Sequence, residues 1–263
     1  MNEQSLFAEP KLVTDIKECY FYHTIDLPDY GTINGSWDLR GKNAEYFGGV
    51  DFKDKKVLEI GTANGALCFE MEKAGASVIA YDLSKDDSWD VVPHPLKNPA
   101  DTLESKKHWT EKLNNAFWFG HRLLHSQAKV VYGDIYHIPV EIGPVEIVTF
   151  GAILLHVRDP FLALQTGTQF ARETVIITDL LGDDEAKQNN QPLLKFLPDP
   201  KNENRFDTWW QFSPQAIINM ISILGFGTTS VNYHAQKFGN YTMNMFTVVG
   251  RRTSGFNNFL NER

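Results

Sequence analysis

From Lys56 onward, short apolar runs typical of buried strands alternate with stretches of helical periodicity, and this alternation constrains the fold most strongly. The apolar runs lie at residues 57–60, 77–81, 129–132, 146–150 and 174–178. Helices are predicted between them over residues 66–74, 102–126 and 161–172. Strands that alternate with helices form a mostly parallel sheet covered on both faces. The sequence therefore predicts an α/β fold.

The last part of the chain departs from this alternation. Ser213 and Pro214 have the pattern of a helix N-terminus, and the helix is expected to run to Leu224. Two further strands are predicted at residues 228–233 and 241–249 with only a loop between them. A connection that short allows an antiparallel pair but no parallel crossover. We therefore expect the sheet to end in an antiparallel edge.

Charge and hydropathy restrict the partners. The chain has 33 acidic and 25 basic residues and a formal net charge of −8. Nucleic acid is thus a disfavoured partner, because neutralised phosphates supply most of that affinity. The longest apolar stretch, residues 147–155, has about half of the ~18 residues needed to span a membrane, and the first residues lack a signal-peptide pattern. We expect a cytoplasmic protein without membrane association, and a homodimer is one option for its oligomeric state.

The turn after the first predicted strand carries the strongest functional signal. It reads G-T-A-N-G and leads directly into a predicted helix. Glycines let the backbone approach a ligand closely, and a helix N-terminus presents free N–H groups. We therefore expect a ligand against Gly61, Thr62, Ala63, Asn64 and Gly65.

Two carboxylates beside this turn indicate the kind of ligand. Asp82 ends the next predicted strand, about 20 residues after the turn, where an acid can accept both hydroxyl hydrogens of a ribose; a helix N-cap is its alternative role. Ala63 stands where a dinucleotide fold has its middle glycine. Glu59 suits an ammonium or sulfonium better than a phosphate, unless the N–H groups of the turn hold it. These features favour S-adenosylmethionine (SAM) over NAD, with an NAD-linked oxidoreductase as the weaker alternative.

The same residues resemble a known family. V-L-E-I-G-x-x-x-G over residues 57–65 is similar to the first motif of class I SAM-dependent methyltransferases, and Tyr81-Asp82 is similar to the second. Residues 133–135 resemble the third motif, and residues 146–151 resemble the fourth. The resemblance covers about residues 53–251. It implies a Rossmann-like, seven-stranded sheet in the order 3-2-1-4-5-7-6 with an antiparallel last strand, SAM as methyl donor and S-adenosylhomocysteine (SAH) as product.

The resemblance also implies further cofactor contacts at the strand ends, namely Leu83, Ser84, Asp134, Ile135, Gly151 and Ala152. In the family, the acid of the third motif faces the adenine amino group; the alternative for Asp134 is a turn residue. Asp179, Asp183 and Asp184 follow the fifth apolar run. Magnesium-dependent catechol methyltransferases use an acid at this place together with a second acid at the end of the fourth strand. That second position is Gly151 in this chain, so no metal is expected.

A narrower resemblance concerns one branch of the family. Residues 22–29, 35–40, 151–160 and 210–214 are similar to motifs of the branch related to the tRNA wobble-uridine carboxymethyltransferases. Leu155 stands where that branch has Tyr, and the acidic charge disfavours tRNA. We therefore expect ordinary SAM and a small-molecule acceptor. An RNA-modifying methyl- or carboxymethyltransferase and a non-enzymatic protein that binds SAM or SAH remain the alternatives.

Two histidines are the catalytic candidates. His156 ends an apolar run after the fourth strand, where open α/β sheets bind ligands. An acceptor hydroxyl or ammonium must lose a proton, and imidazole titrates near neutral pH. His156 is therefore the expected base, or else a buried histidine bonded to the backbone. His23 either covers the cofactor or attaches the N-terminal segment to the core. We expect methyl transfer to an O or N atom of a small acceptor resembling a secondary metabolite.

The aromatic residues suggest how the site is enclosed. Residues 1–52 are expected to form a loop-rich lid, residues 53–251 the cofactor-binding core, and residues 252–263 a tail. Tyr22 and Trp37 of the lid and Trp89 of the core are expected to cover the cofactor, unless Trp89 only packs in the core. The insertions 86–128 and 182–212 carry further aromatic residues suited to an acceptor pocket.

Overall fold

The chain folds around one large mixed sheet, as a computed structural model shows for residues 6–182, 191–202 and 206–255. The strands are β1 (Ile25–Leu27), β2 (Gly31–Ile33), β3 (Trp37–Asp38), β4 (Lys56–Ile60), β5 (Ser77–Asp82), β6 (Lys129–Tyr132), β7 (Val145–Gly151), β8 (Ala171–Leu180), β9 (Leu194–Phe196), β10 (Trp210–Phe212), β11 (Thr228–Phe238) and β12 (Tyr241–Arg251). The α-helices are α1 (Asn43–Tyr46), α2 (Ala66–Lys73), α3 (Pro99–Leu123), α4 (Pro160–Thr168) and α5 (Pro214–Ile223).

The described part of the central sheet has eight strands in the order β3-β11-β12-β8-β7-β4-β5-β6. Strands β4 to β8 pair in parallel, whereas β12 is antiparallel to both β8 and β11. Without β3, this is the expected order 3-2-1-4-5-7-6, so the predicted fold class and the antiparallel edge are confirmed.

The predicted strand count of seven is wrong by one edge strand. Trp37 and Asp38 pair antiparallel with Phe238 and Lys237, and β11 extends to Phe238 rather than ending near Tyr233. A two-residue strand is too short to show a periodic pattern in the sequence. The N-terminal segment thus adds a strand to the sheet edge, while its role as a lid stays a prediction.

Local signals explain most element boundaries. Ser213 caps α5, because its side chain accepts a hydrogen bond from the Ala216 N–H, as its position before Pro214 predicts. The helix predicted over residues 161–172 ends earlier, at Thr168, because β8 already begins at Ala171. Periodicity alone did not separate the end of that helix from the start of the strand.

Hydrophobic clusters cover both faces of the sheet. One cluster includes Phe69 of α2 and Phe117 of α3, and the other includes Phe150, Ile217 and Phe246. The insertion 86–128 consists largely of α3, and the described part of the insertion 182–212 contains the antiparallel pair β9–β10. Among the described residues, no helix combines the length and the apolar character needed to cross a membrane.

Candidate active site

Two adjoining cavities lie at the carboxyl ends of β4, β5 and β7. The aromatic cavity, about 150 Å³, has walls that include Tyr22, Trp37, Trp89 and Trp109. The acidic cavity, about 430 Å³, has walls that include Asp82, Asp86, Asp87, Asp90 and Asp134. The residues that line both are Gly61, Asp82, Trp89, Ile153 and His156. The position matches the sheet edge where open α/β folds bind ligands.

The turn after β4 has left-handed backbone at three positions. The φ angles are +84° at Gly61, +52° at Ala63 and +80° at Gly65. Gly61 and Ala63 line the aromatic cavity. A Cβ at Gly65 would come within 2.7 Å of the rings of Phe69 and Phe117. Gly65 therefore permits α3 to pack against the turn, and it lines neither of the two cavities.

The polar side chains of the turn face its neighbours. Thr62 donates its hydroxyl hydrogen to Glu59 Oε2 at 2.5 Å. Asn64 Oδ1 accepts from the His23 N–H at 2.8 Å, and its Nδ2 donates to the His23 carbonyl at 3.1 Å. Thr62 and Asn64, both expected at the ligand, are not part of the lining of either cavity. Asn64 instead fastens the N-terminal segment to the turn.

Glu59 lies outside the walls of both cavities. It is buried and lines a separate small pocket together with Tyr46 and Gly61. Burial raises the pKa of its carboxyl group to about 8, against the Thr62 hydrogen bond and with a further increase from the charge of Asp82. The carboxyl group is therefore mostly protonated at neutral pH. In that form it has no charge that could pair with a ligand ammonium or sulfonium, the pairing that the sequence predicts for Glu59.

Asp82 has the geometry expected of a ribose-binding acid. Its Oδ2 accepts the Ala63 N–H and its Oδ1 accepts the Leu83 N–H, both at 2.7 Å. Burial raises its pKa to about 6, while the two backbone donors lower it, so the group is ionised at neutral pH. Each oxygen keeps a second lone pair for a hydroxyl donor. The next helix, α3, has Asn98 as its N-cap, so the alternative N-cap role of Asp82 is not observed.

The cofactor contacts expected after β5 and β6 line the acidic cavity, with one exception. Leu83, Asp134 and Ile135 belong to its walls. Asp134 Oδ1 accepts from the Tyr136 N–H at 2.8 Å, and the carboxyl group also faces His137. Ser84 donates to Asp87 instead and does not line the cavity.

The N-terminal segment closes one side of the aromatic cavity. Tyr22, His23 and Trp37 line it, and Trp37 Nε1 donates to the Tyr22 hydroxyl at 3.1 Å. Gly151 and Ala152 line the same cavity from the end of β7. No described residue bonds the buried Nδ1 of His23, and burial lowers the pKa of His23 to about 4.

His156 lies at the junction of the cavities with one nitrogen fixed. Its Nδ1 donates to the Asp207 main-chain carbonyl at 2.5 Å, because a carbonyl can only accept. The neutral imidazole therefore carries its free lone pair on Nε2. Burial lowers the pKa of His156, and its ring meets Trp89 edge to face at 6.2 Å. Both expected roles, base and backbone-bonded histidine, are compatible with this geometry.

Several residues that line the aromatic cavity are not indicated by the sequence, among them Lys106, Asp207 and Met245. Lys106 Nζ lies 2.5 Å from Asp207 Oδ2 and 4.1 Å from the centre of the Trp89 ring. The two charges are 101 positions apart in the chain. No spacing pattern in a single sequence indicates such a contact.

Within the described residues, no group of three or more His, Cys, Asp or Glu side chains could hold a metal ion. Asp179 is buried at the end of β8 and accepts from the Leu180 N–H at 2.7 Å. Asp183 and Asp184 lie outside the described residues.

The pair of cavities fits an adenosyl sulfonium. An ionised carboxyl group, Asp82, lies where the cavities meet, and the Asp134 side chain lies along the acidic cavity. The Nδ1 of His23 is a buried polar atom in the aromatic wall that needs a hydrogen-bond partner. Hydroxyl, amino and methionine groups of such a ligand match this set of partners.

The chain belongs to a methyltransferase family. The family profile described as "Methyltransferase domain" matches residues 38–227, about three quarters of the chain. No curated protein matches the chain. The match supports the methyltransferase class, and the narrower branch related to tRNA wobble-uridine enzymes stays a prediction.

Solved structures share the fold at low identity. The N-terminal domain of EvdMO1, crystallised in the presence of SAH and D-fucose, is 15% identical with a TM-score of 0.54, over 90% of this chain and 93% of that chain. The 1,6-didemethyltoxoflavin-N1-methyltransferase of Burkholderia thailandensis, with 1,6-didemethyltoxoflavin and S-adenosylhomocysteine bound, is 13% identical with a TM-score of 0.50, over 82% of this chain and 78% of that chain. At these identities the likeness concerns the fold.

Proposed function

We propose that this protein transfers a methyl group from SAM to an O or N atom of a small-molecule acceptor. The observation that carries the proposal is the position of His156, whose imidazole lines both the acidic and the aromatic cavity. A base at that junction would lie between a cofactor in one cavity and an acceptor in the other.

The acidic cavity would hold the adenosyl part of the cofactor. Asp82 would accept the ribose hydroxyls, and Asp134 with Ile135 would face the adenine. Gly61 and Ala152 would lie beside the methionine part, because they line the aromatic cavity next to the junction. The bound cofactor supplies an electrophilic methyl carbon on a sulfonium.

The aromatic cavity would receive the acceptor. Its walls include the rings of Tyr22, Trp37 and Trp109, which offer large apolar surfaces to a small flat molecule. Since the methyl group on a sulfonium is already activated, the protein contributes mainly by aligning the acceptor and excluding water. The net charge of −8 supports a small molecule over a nucleic acid as the acceptor.

His156 would take the proton that the acceptor loses. Its Nδ1–H is committed to the Asp207 carbonyl, so the Nε2 lone pair is available toward an acceptor O–H or N–H. Burial keeps the pKa of the imidazole below its usual value, so the ring is neutral at pH 7 and ready to accept.

The proposal is tested by incubating the protein with a metabolite extract and methyl-labelled SAM, followed by mass spectrometry. We expect at least one small molecule to gain the label and the mass of one CH₂ unit. In the His156→Ala variant, this product should form about 10²–10⁴ times more slowly. Normal turnover by His156→Ala would exclude the base role. SAM binding without any labelled product would support the non-enzymatic alternative.

A further inference from the structure

An ion pair that sequence analysis missed lies beside His156. Lys106 of α3 contacts Asp207 at 2.5 Å, and the two side chains are only 13% and 25% exposed. The Lys106 ammonium is 4.1 Å from the centre of the Trp89 ring, 5.0 Å from that of Trp109 and 5.2 Å from that of Phe206. Aromatic faces at these distances attract a cation and restrict where it can lie.

Asp207 connects this ion pair to the imidazole. Its main-chain carbonyl accepts from His156 Nδ1, while its carboxylate binds Lys106. Two residues further on, the Trp209 N–H donates to the Leu155 carbonyl at 2.8 Å. The segment that carries Asp207 therefore runs along the turn of His156 and is attached to it at two points.

We propose that the Lys106–Asp207 ion pair positions His156 as a base, with Asp207 fixing Nδ1 as the protonated nitrogen and Lys106 keeping the imidazole neutral until it takes a proton from the acceptor. The catalytic part of this inference rests on the proposed function. The electrostatic part concerns the protein alone and can be measured without an acceptor.

The two charges act on His156 in opposite directions. After burial, which lowers the pKa of His156, the hydrogen bond and charge of Asp207 raise it and the charge of Lys106 lowers it. The other titratable side chains that line the cavities with His156 are Tyr22, His23, Tyr46, Tyr81, Asp82, Asp86, Asp87, Asp90, Asp134, Tyr136 and His137. Asp207 and Lys106 are the charges that shift its pKa.

Balance between the two charges suits a base. An unpaired carboxylate next to the imidazole would favour the imidazolium form, which cannot accept a proton. An unpaired ammonium would disfavour the imidazolium that forms when the imidazole accepts a proton, and it would thus weaken the imidazole as a base. The ion pair places both charges at His156, so that neither dominates.

The test is ¹⁵N NMR titration of the histidines in the SAH-free protein, with the His156 signal assigned from the His156→Ala spectrum. Lys106→Met should raise the pKa of His156, and Asp207→Asn should lower it, while Nδ1 remains the protonated nitrogen in the wild type. Lys106→Arg keeps the cation and should leave the titration unchanged. Lys85→Met is the matched control, because Lys85 forms an exposed ion pair with Glu111 of α3, the helix that carries Lys106.

Opposite shifts distinguish electrostatic positioning from a merely structural role. If the ion pair only held the fold together, Lys106→Met and Asp207→Asn would both expose His156. Its pKa would then shift in the same direction in both variants, toward that of free imidazole. That result, or no shift in either variant, overturns the inference. A wild-type His156 protonated on Nε2 would also contradict it. If the shifts are opposite but no methyl transfer is found with any acceptor, the proposed function fails and the electrostatic assignment stands.

Where transfer is measurable, the acid limb of the pH profile of kcat/KM should move in the same direction as the NMR titration. Lys106→Met should move this limb to higher pH, and Asp207→Asn should move it to lower pH. A change in kcat/KM that is uniform across pH would contradict the inference.

Discussion

At the scale of single residues, Asp82 and Glu59 show how burial assigns different protonation states to neighbouring carboxyl groups. Glu59 is buried and Asp82 is half-buried, and the charge of Asp82 raises the pKa of Glu59. Asp82 receives two backbone N–H donors, whereas Glu59 receives one hydroxyl. Asp82 is thus the ionised member of the pair at neutral pH and the one that lines the cavities.

The pKa of Asp82 predicts how SAH binding depends on pH. Since the group is raised to about 6, protonation below that pH removes charged acceptors from the ribose hydroxyls, and the affinity for SAH should fall. We expect calorimetric titrations between about pH 5 and pH 8 to show this decline. In Asp82→Asn the affinity should be low and nearly constant over that range. A wild-type affinity that stays constant through pH 6 would contradict the role of Asp82.

The raised pKa of Glu59 predicts that the free energy of unfolding falls as the pH rises. Burial raises the folded-state pKa of its carboxyl group from the ordinary 4.5 to about 8, so its stabilising contribution is fully present below about pH 4.5 and is lost as the pH rises through 8. The free energy of unfolding of the wild type, relative to Glu59→Gln, should therefore fall by about 2 kcal/mol between about pH 5 and pH 7. Urea unfolding at the two pH values measures this difference. Parallel pH dependence in both proteins would show that Glu59 is ionised when folded.

At the scale of elements, one side chain of the β4–α2 turn holds the N-terminal segment at His23. Asn64 is fully buried and makes two hydrogen bonds to the backbone of His23. Asn64→Ala leaves that N–H and that carbonyl unpaired, and it should lower the free energy of unfolding by about 2–4 kcal/mol. Asn219→Ala, at an exposed position of α5, is the control and should change stability by less than about 0.5 kcal/mol.

The same substitution tests whether the N-terminal segment contributes to the site. Because Tyr22, His23 and Trp37 line the aromatic cavity, Asn64→Ala should also weaken SAH binding at a temperature where the variant remains folded. If the affinity stays at the wild-type value, the segment is structural and does not cover the cofactor.

The predictable elements are those with a local signal. The strand predicted over residues 129–132 matches β6, because its β-branched and aromatic residues are followed at once by Gly133. The predicted start of α5 holds because Ser213 and Pro214 determine it locally. β3 could not be predicted, since its two residues become a strand only through pairing with β11.

The residues of the candidate site also divide into those that the sequence indicates locally and those that only tertiary packing brings together. The position of Asp82 and His156 at the cavities could be predicted, because strand ends in a parallel sheet converge at one edge. Lys106 and Asp207 could not, since their contact depends on how α3 and the segment after residue 205 pack over that edge. Likewise, Thr62 and Asn64 lie in the expected turn, but their contacts with Glu59 and His23 depend on burial and on the N-terminal segment.

At the scale of the whole molecule, the strand order brings the two cavities together. The central position of β4, between β5 and β7, places the ends of these three strands side by side. The proposed cofactor residues come from the ends of β4 to β7, whereas the aromatic walls come from the N-terminal segment, from Trp89 and from α3. The adenosyl part of the cofactor and the acceptor would therefore contact different parts of the chain, while the methionine part, at the junction of the cavities, would contact both.

Isothermal titration calorimetry with SAH on the wild type, Asp82→Ala and His156→Ala tests whether the cavities hold the cofactor through the acid at the end of β5. We expect the wild type to bind one SAH per chain, His156→Ala to bind it with similar affinity, and Asp82→Ala to show no measurable binding. Absence of binding by the folded wild type, or wild-type affinity in Asp82→Ala, would rule out the proposed cofactor site.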